Sequence, residues 1–234
     1  MPAVSQEIPL LTLPAVLFPG TFLPMQAIEE PHRALLRDCV REERQVGVVL
    51  MPGEERGQRS AIPCTTGCLA SVALVAHNDE DEFDEEPLGV VLYGEQRIRV
   101  VHFVQQDPYL TGRVEMLEEY GGANTGKRTE RVALLFKKYL DLIQHYTPSE
   151  LLEFTLPHDP TAASFMIASV LSLPLQVKQR WLESSSTRDR LEEQAAYLQA
   201  ESERHELLLL LSRTLGHRYS LPDPHIYLAL NGRN

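Results

Sequence analysis

The chain has 234 residues, 43% of them hydrophobic, with 22 Lys and Arg against 33 Asp and Glu for a net charge of −11. That length holds one large domain or two small ones with a real core, and that apolar share excludes wholesale disorder. So acidic a chain is a poor general binder of nucleic acid or anionic membrane, since both are polyanions.

Ile8–Leu13 and Phe22–Ile28 are short apolar runs separated by the turn Phe18-Pro19-Gly20, and they predict two strands. The first lysine or arginine is Arg33, and Pro9, Pro14, Pro19 and Pro24 interrupt the N-terminal apolar stretch, so no secretory signal is expected. Pro31 suits the first helical position, and Ala34, Leu35, Cys39 and Val40 recur at helical spacing, which predicts a helix over Pro31–Arg44. Val46–Met51, closed by Pro52-Gly53, reads as a strand. Cys68–His77 and Leu88–Val104 read as two long paired strands, the second with Val91, Tyr93, Glu95 and Arg97 alternating with Leu92, Gly94 and Gln96. Tyr109–Leu117 is the last predicted strand. Several strands with a single helix point to a compact barrel or sandwich.

After Gly121-Gly122 the period becomes helical. Val132, Leu135, Phe136, Tyr139, Leu140 and Ile143 place a helix over Arg128–Ile143. Thr147-Pro148-Ser149-Glu150 is a capping box opening a further helix, and Asp159-Pro160 opens another to about Leu171. A helix from Pro174 through Trp181 and a long one from Thr187 to Thr214, stopped by Gly216, complete the set. The expected organisation is a β-rich domain over residues 1–120 and a helical domain over 121–234, joined by about 119–127. No stretch approaches the ~20 apolar residues of a membrane span.

Four features carry possible chemistry. Gly121–Lys127 has the G-x-x-x-x-G-K spacing of a phosphate-binding loop, whose amides and lysine cradle phosphates. Arg128 stands where that motif needs a magnesium-binding hydroxyl, and Thr129 comes one residue late, about 100° around the helix axis. A glycine-rich linker is the simpler reading, and a nucleotide-binding enzyme using this degenerate loop is the alternative function. Cys64 and Cys68 lack the second ligand pair of a zinc site, so no metal is expected. Three cysteines, an odd number, do not make a disulfide framework; reduced thiols and a cytoplasmic location are expected. Residues 79–86 hold seven acids interrupted by Phe83 and read as a solvated hairpin tip, not a calcium loop. No G-x-S-x-G, H-E-x-x-H or S-x-x-K signature is present, so no catalytic residue is assigned.

The terminal helix bears on association. Leu191, Ala195, Leu198, Ser202, His205 and Leu209 follow a four-three spacing, with Ser202 and His205 poor residues for a long coiled-coil seam. Leu207–Leu211 covers all sides of the helix and predicts burial on most of them, by other helices and the tail Ile226–Leu230 or by a second copy in a homo-dimer.

The opening Ile8-Pro9-Leu10-Leu11, then Val16-Leu17-Phe18-Pro19-Gly20-Thr21-Phe22-Leu23-Pro24, resembles the start of the Lon protease N-terminal domain. The likeness continues in Gly67-Cys68-Leu69-Ala70, in Gly94-Glu95-Gln96-Arg97-Ile98-Arg99-Val100, in Asp159–Leu171 followed by Leu173–Gln179 and Trp181-Leu182-Glu183, and in Arg188-Asp189-Arg190-Leu191, over about residues 7–211. The resemblance implies an α+β fold: an N-terminal PUA-like pseudo-barrel with one helix, then a helical bundle ending in a long helix. It implies a role in recognising protein substrates, without the ATPase and protease modules that follow this region in Lon, and so without a catalytic residue to carry over.

The expected function is therefore a non-catalytic module that binds unfolded or partner polypeptides, needing no cofactor. The expected contact region is the first turn, at Leu17, Phe18 and Phe22, together with the junction of the two halves. RNA binding by analogy with PUA-like barrels is a further alternative, opposed by the acidic balance.

Overall fold

A computed structural model describes residues 6–52, 62–76, 88–105, 107–121, 125–143 and 155–215. The acidic run 79–86, most of the Gly121 loop, the capping box at Thr147 and the tail Ile226–Leu230 lie outside the described residues or largely so. The described residues form two compact units, one up to Glu118 plus Leu175–Ser185, the other from Glu119 to Pro174 and from Ser186 onward.

The first unit is a six-stranded sheet with two helices. Its strands are β1 (Gln6–Leu13), β2 (Phe22–Ala27), β3 (Val46–Leu50), β4 (Thr66–Ala76), β5 (Leu88–Gln105) and β6 (Leu110–Met116), and its first helix is α1 (Glu30–Arg41). The order is β2-β5-β4-β3-β1-β6, and β6 pairs back onto β5, so the sheet closes on itself. The five strands of this closed part bury their interior, with Ile8, Leu10, Val49, Leu69, Ile98, Val100 and Val114 in one cluster. Gly47 leaves room for this cluster: a Cβ on it would stand 2.6 Å from the tip of the Leu10 side chain, which would have to shift. All pairings are antiparallel except β1 with β3, which run parallel with α1 in the connection between them. Sequence reading anticipated both strands but not this pairing, because a strand's own period does not name its neighbour.

α1 starts with Glu30 and Pro31 and sends Leu35, Leu36 and Cys39 into a second cluster with Leu11, Leu13, Val46, Val48, Cys68, Ala70, Val90 and Leu92. This covers the other face of the sheet. β3 is buried at every position, which accounts for its unbroken Val-Gly-Val-Val-Leu run.

The segment that follows Pro174 also belongs to this unit. Its helix, numbered α4 in chain order (Leu175–Glu183), packs on β4 and contributes Trp181 and Leu182, each 2% exposed. Arg97, only 1% exposed, reaches from β5 to its end. The guanidinium donates to the carbonyls of Leu182 (2.9 Å) and Glu118 (2.9 Å) and to Ser185 Oγ (3.1 Å). A cation there satisfies carbonyls that the helix end leaves without partners. Gln179 Nε2 adds a bond to Thr66 O at 2.9 Å. Sequence reading grouped this helix with the C-terminal ones, because its order in the chain says nothing of which core its apolar face joins.

The second unit holds α2 (Gly126–Ile143), α3 (Pro160–Val170) and α5 (Thr187–Leu215). Asp159 caps α3 by accepting from Ala162 N at 2.8 Å, as its sequence predicts. α2 and α5 run side by side in the same direction, shown by Arg128–Glu192 near one end (2.7 Å) and Lys138–Glu206 near the other (2.8 Å). The four-three positions Leu191, Ala195, Leu198, Ser202 and His205 are all buried. Leu207, Leu210 and Leu211 are 55%, 61% and 42% exposed, so the leucine run is not buried on most sides. They fall off the seam that continues to Leu209, and a single face is all one neighbouring helix covers. Arg190, fully buried, donates to Ser164 Oγ (2.8 Å) and Glu119 (3.0 Å) and lies 4.0 Å over the Phe165 ring. Among the described residues no helix is long and apolar enough to cross a membrane.

Candidate polypeptide-binding surface

The three residues singled out in the first turn do different jobs. Leu17 is 2% exposed and Phe18 0%, so both fill the core, while Phe22 is 64% exposed. The turn between them is built to place Phe22. Gly20 sits at φ +74°, a conformation that costs glycine little and other residues more. Thr21 Oγ1 closes the turn by donating to Phe18 O at 2.8 Å. Gly20 N donates to Gly94 O at 2.8 Å, and Gly94 N to Thr21 O at 2.9 Å. The turn lies so close to β5 that a Cβ on Gly94 would stand 2.3 Å from Phe18 O.

That clamp sets the register of β2 on β5: Phe22 pairs with Tyr93 and Pro24 with Val91. On the other side of β5, Ser71 pairs with Tyr93 and Leu74 with Val91, across a bulge in β4 between Val72 and Leu74. Directly paired residues share a face. Phe22, Pro24, Tyr93, Val91 and Leu74 therefore form one apolar surface, opposite the face that α1 covers. Phe22 and Tyr93 touch with ring centroids 5.0 Å apart. Leu74 is 66% exposed, Pro24 is exposed, and Val91 and Tyr93 are half-buried.

The free edge of β2 adds little. The Gly94–Thr21 bond fixes which residues face β5, and the alternation then turns the backbone of Phe22, Pro24 and Gln26 outward. Pro24 has no N–H, so the middle donor of that edge is missing, which blunts pairing with another strand. What the arrangement offers is a side-chain platform that holds apolar groups without demanding a particular sequence.

Sequence reading missed Tyr93, Val91 and Leu74. Their signal was the two-residue alternation of β5, but Val90 and Leu92 between them are equally apolar, so the pattern did not reveal which face was open.

The other candidates assemble no site among the described residues. Cys68 is fully buried, and burial pushes its thiol up to about 12; Cys64 is half-buried. No group of three or more His, Cys, Asp or Glu stands ready to hold a metal ion among the described residues. Where the Gly121 loop runs into α2, Arg128 pairs with Glu192, and Thr129 Oγ1 donates back to Thr125 O, just ahead of the helix, at 3.1 Å.

Comparison with known proteins places this geometry. The chain is 30% identical to the Lon protease of Anaeromyxobacter dehalogenans over 198 residues, 82% of this chain and 22% of that one. It is 29% identical to Lon protease 2 of Myxococcus xanthus over 196 residues, 80% of this chain and 23% of that one. The match thus spans about a fifth of the length of these curated relatives. A Lon N-terminal domain protein from Xanthomonas campestris shares the fold at a TM-score of 0.59 and 20% identity, covering 82% of this chain and 98% of that one. The N-terminal domain of a Mycobacterium avium complex Lon protease does so at 0.61 and 17%, covering 83% and 98%. The family model of the ATP-dependent protease La (LON) substrate-binding domain matches residues 7–200, and the chain belongs to that family.

Proposed function

We propose that the chain is a polypeptide-binding module that works by recognition and not by catalysis, and that the open face of β2, β5 and β4 is where it binds. The observation that carries this is the pair Phe22 and Leu74, large apolar side chains left 64% and 66% exposed on an ordered sheet in a substrate-binding family. An apolar side chain held in water by rigid backbone gains free energy only when something covers it. Leu17 and Phe18 contribute from below, as the buried anchor of the turn that presents Phe22.

The test is a fluorescence-anisotropy titration of a labelled, permanently unfolded polypeptide with the purified chain in moderate salt. Saturable binding, competed by other unfolded chains, is expected. Phe22→Ser is expected to weaken it about tenfold, the size of effect that a central aromatic contact gives on truncation. Binding that is absent up to high micromolar, or unchanged in Phe22→Ser, would contradict the assignment.

A further inference from the structure

We infer that the segment this face takes is an amphipathic helix, laid on the sheet as α1 is laid on the opposite face; the assignment rests on the binding function proposed above. The size of the patch limits what can cover it. Phe22, Tyr93 and Ser71 form one row across β2, β5 and β4, and Pro24, Val91 and Leu74 form the next. Two rows about 7 Å apart on three strands about 5 Å apart make a platform on the order of 200 Å². A stable contact between folded proteins takes about 800 Å² from each partner. The patch is far too small to hold a second copy of the chain. It matches about nine residues of one helix, which are about 14 Å long and about 10 Å wide.

The backbone decides between a helix and a strand. An extended segment gains most by adding to a sheet edge, where its N–H and C=O groups find partners. On β2 that edge lacks its middle donor, at Pro24. Laid on the face instead, an extended segment meets Phe22, Pro24, Val91 and Leu74, which offer its peptide groups nothing. Of the six residues in the two rows, only Tyr93 and Ser71 carry a hydrogen-bonding side chain. Peptide groups covered without partners oppose binding. A helix satisfies its own peptide groups and presents only side chains to the surface.

The covered face of the same strands shows the fit. Val90 and Leu92 of β5, with Cys68 and Ala70 of β4, share a buried cluster with Leu35, Leu36 and Cys39, three residues on one side of a 12-residue helix. Val91 and Tyr93 alternate with Val90 and Leu92 along β5, so the open face repeats the row spacing of the covered one. A segment with apolar residues at i, i+3, i+4 and i+7 meets it in the same way. The face thus selects a spacing and not a sequence.

The test titrates the full chain into two labelled peptides of one composition. One has its apolar residues at i, i+3, i+4 and i+7; the other has the same residues at every second position. The helical pattern is expected to bind about tenfold tighter and to gain helical circular dichroism on binding. A proline in the middle of its polar face breaks the helix and leaves every apolar side chain in place; it is expected to weaken binding at least about tenfold. Phe22→Ser/Leu74→Ser, its fold checked by thermal melting, is expected to remove the difference between the two patterns. Equal or tighter binding of the alternating peptide, or unchanged binding of the proline peptide, would overturn the helix while leaving the apolar platform standing. A chain that sediments as a dimer until Phe22→Ser/Leu74→Ser separates it would overturn the helix in favour of a second copy. Failure of both peptides, with an unfolded polypeptide still bound, would overturn this inference alone; failure of all three would overturn the binding function as well.

Discussion

The β2-β5-β4 sheet has two apolar faces, and they meet different fates. One carries Val90, Leu92, Ala70 and Cys68 under Leu35, Leu36 and Cys39 of α1. The other carries Phe22, Tyr93, Val91 and Leu74 and, among the described residues, faces solvent. Hydrophobicity alone does not separate them. Burial does: it gives the first face to stability, and the function proposed above gives the second to recognition. Substitution should be able to pull these two properties apart.

The largest effect is expected on the covered face. Leu92→Ala and Leu35→Ala each empty a fully buried site and should cost about 3 kcal/mol in denaturant melts. A loss below about 1 kcal/mol would mean that α1 does not close this face. Gly94→Ala comes next, because it strikes the device joining the two faces. The added methyl meets the Phe18 carbonyl and should cost about 2 kcal/mol by displacing the turn. It should also weaken peptide binding although it touches no peptide, since Phe22 loses its place beside Tyr93. A Gly94→Ala variant that binds normally would show that the clamp is irrelevant to recognition.

The thiols report the same contrast in rate. Cys39 and Cys68 lie in the covered cluster, with burial pushing them up to about 11 and about 12. Both should resist alkylation at neutral pH until the chain unfolds, because the reactive thiolate is scarce and the sulfur inaccessible. Half-buried Cys64 should react first by mass spectrometry. Prompt labelling of Cys39 in the native chain would mean that α1 opens readily.

A smaller effect, of opposite sign, is expected where α1 ends. Glu43→Gly relieves the left-handed strain and should raise stability by about 0.5–1 kcal/mol. In the helical unit a weak pH dependence follows from His205, 2% exposed, whose pKa burial lowers below 6.5. The unfolded chain then takes up the proton first as pH falls. His205's contribution is present above about pH 6.5 and is lost as pH drops through the lower folded value. His205→Gln should flatten that part of a stability-against-pH curve.

Much of the first unit was legible in the sequence. Phe18-Pro19-Gly20 announced its turn, Pro31 its helix, and the alternation from Leu88 onward its long strand. What stayed hidden depended on partners remote in sequence. The parallel β1–β3 pairing, the choice of core by the helix at Leu175 and the burial of Arg97 are decided by tertiary contacts. The candidate surface was half visible for the same reason. Leu17, Phe18 and Phe22 are alike in composition, and only the packing of the turn sends two inward and one out.

The most direct test compares two variants for stability and for affinity to an unfolded polypeptide. Phe22→Ser/Leu74→Ser should keep its stability within about 0.5 kcal/mol of the parent, as exposed substitutions do, yet lose at least about tenfold in affinity. Leu92→Ala should lose stability and, while folded, bind like the parent. If the exposed double variant binds unchanged, the open face is not the recognition surface, and the division of stability and recognition between the two faces fails.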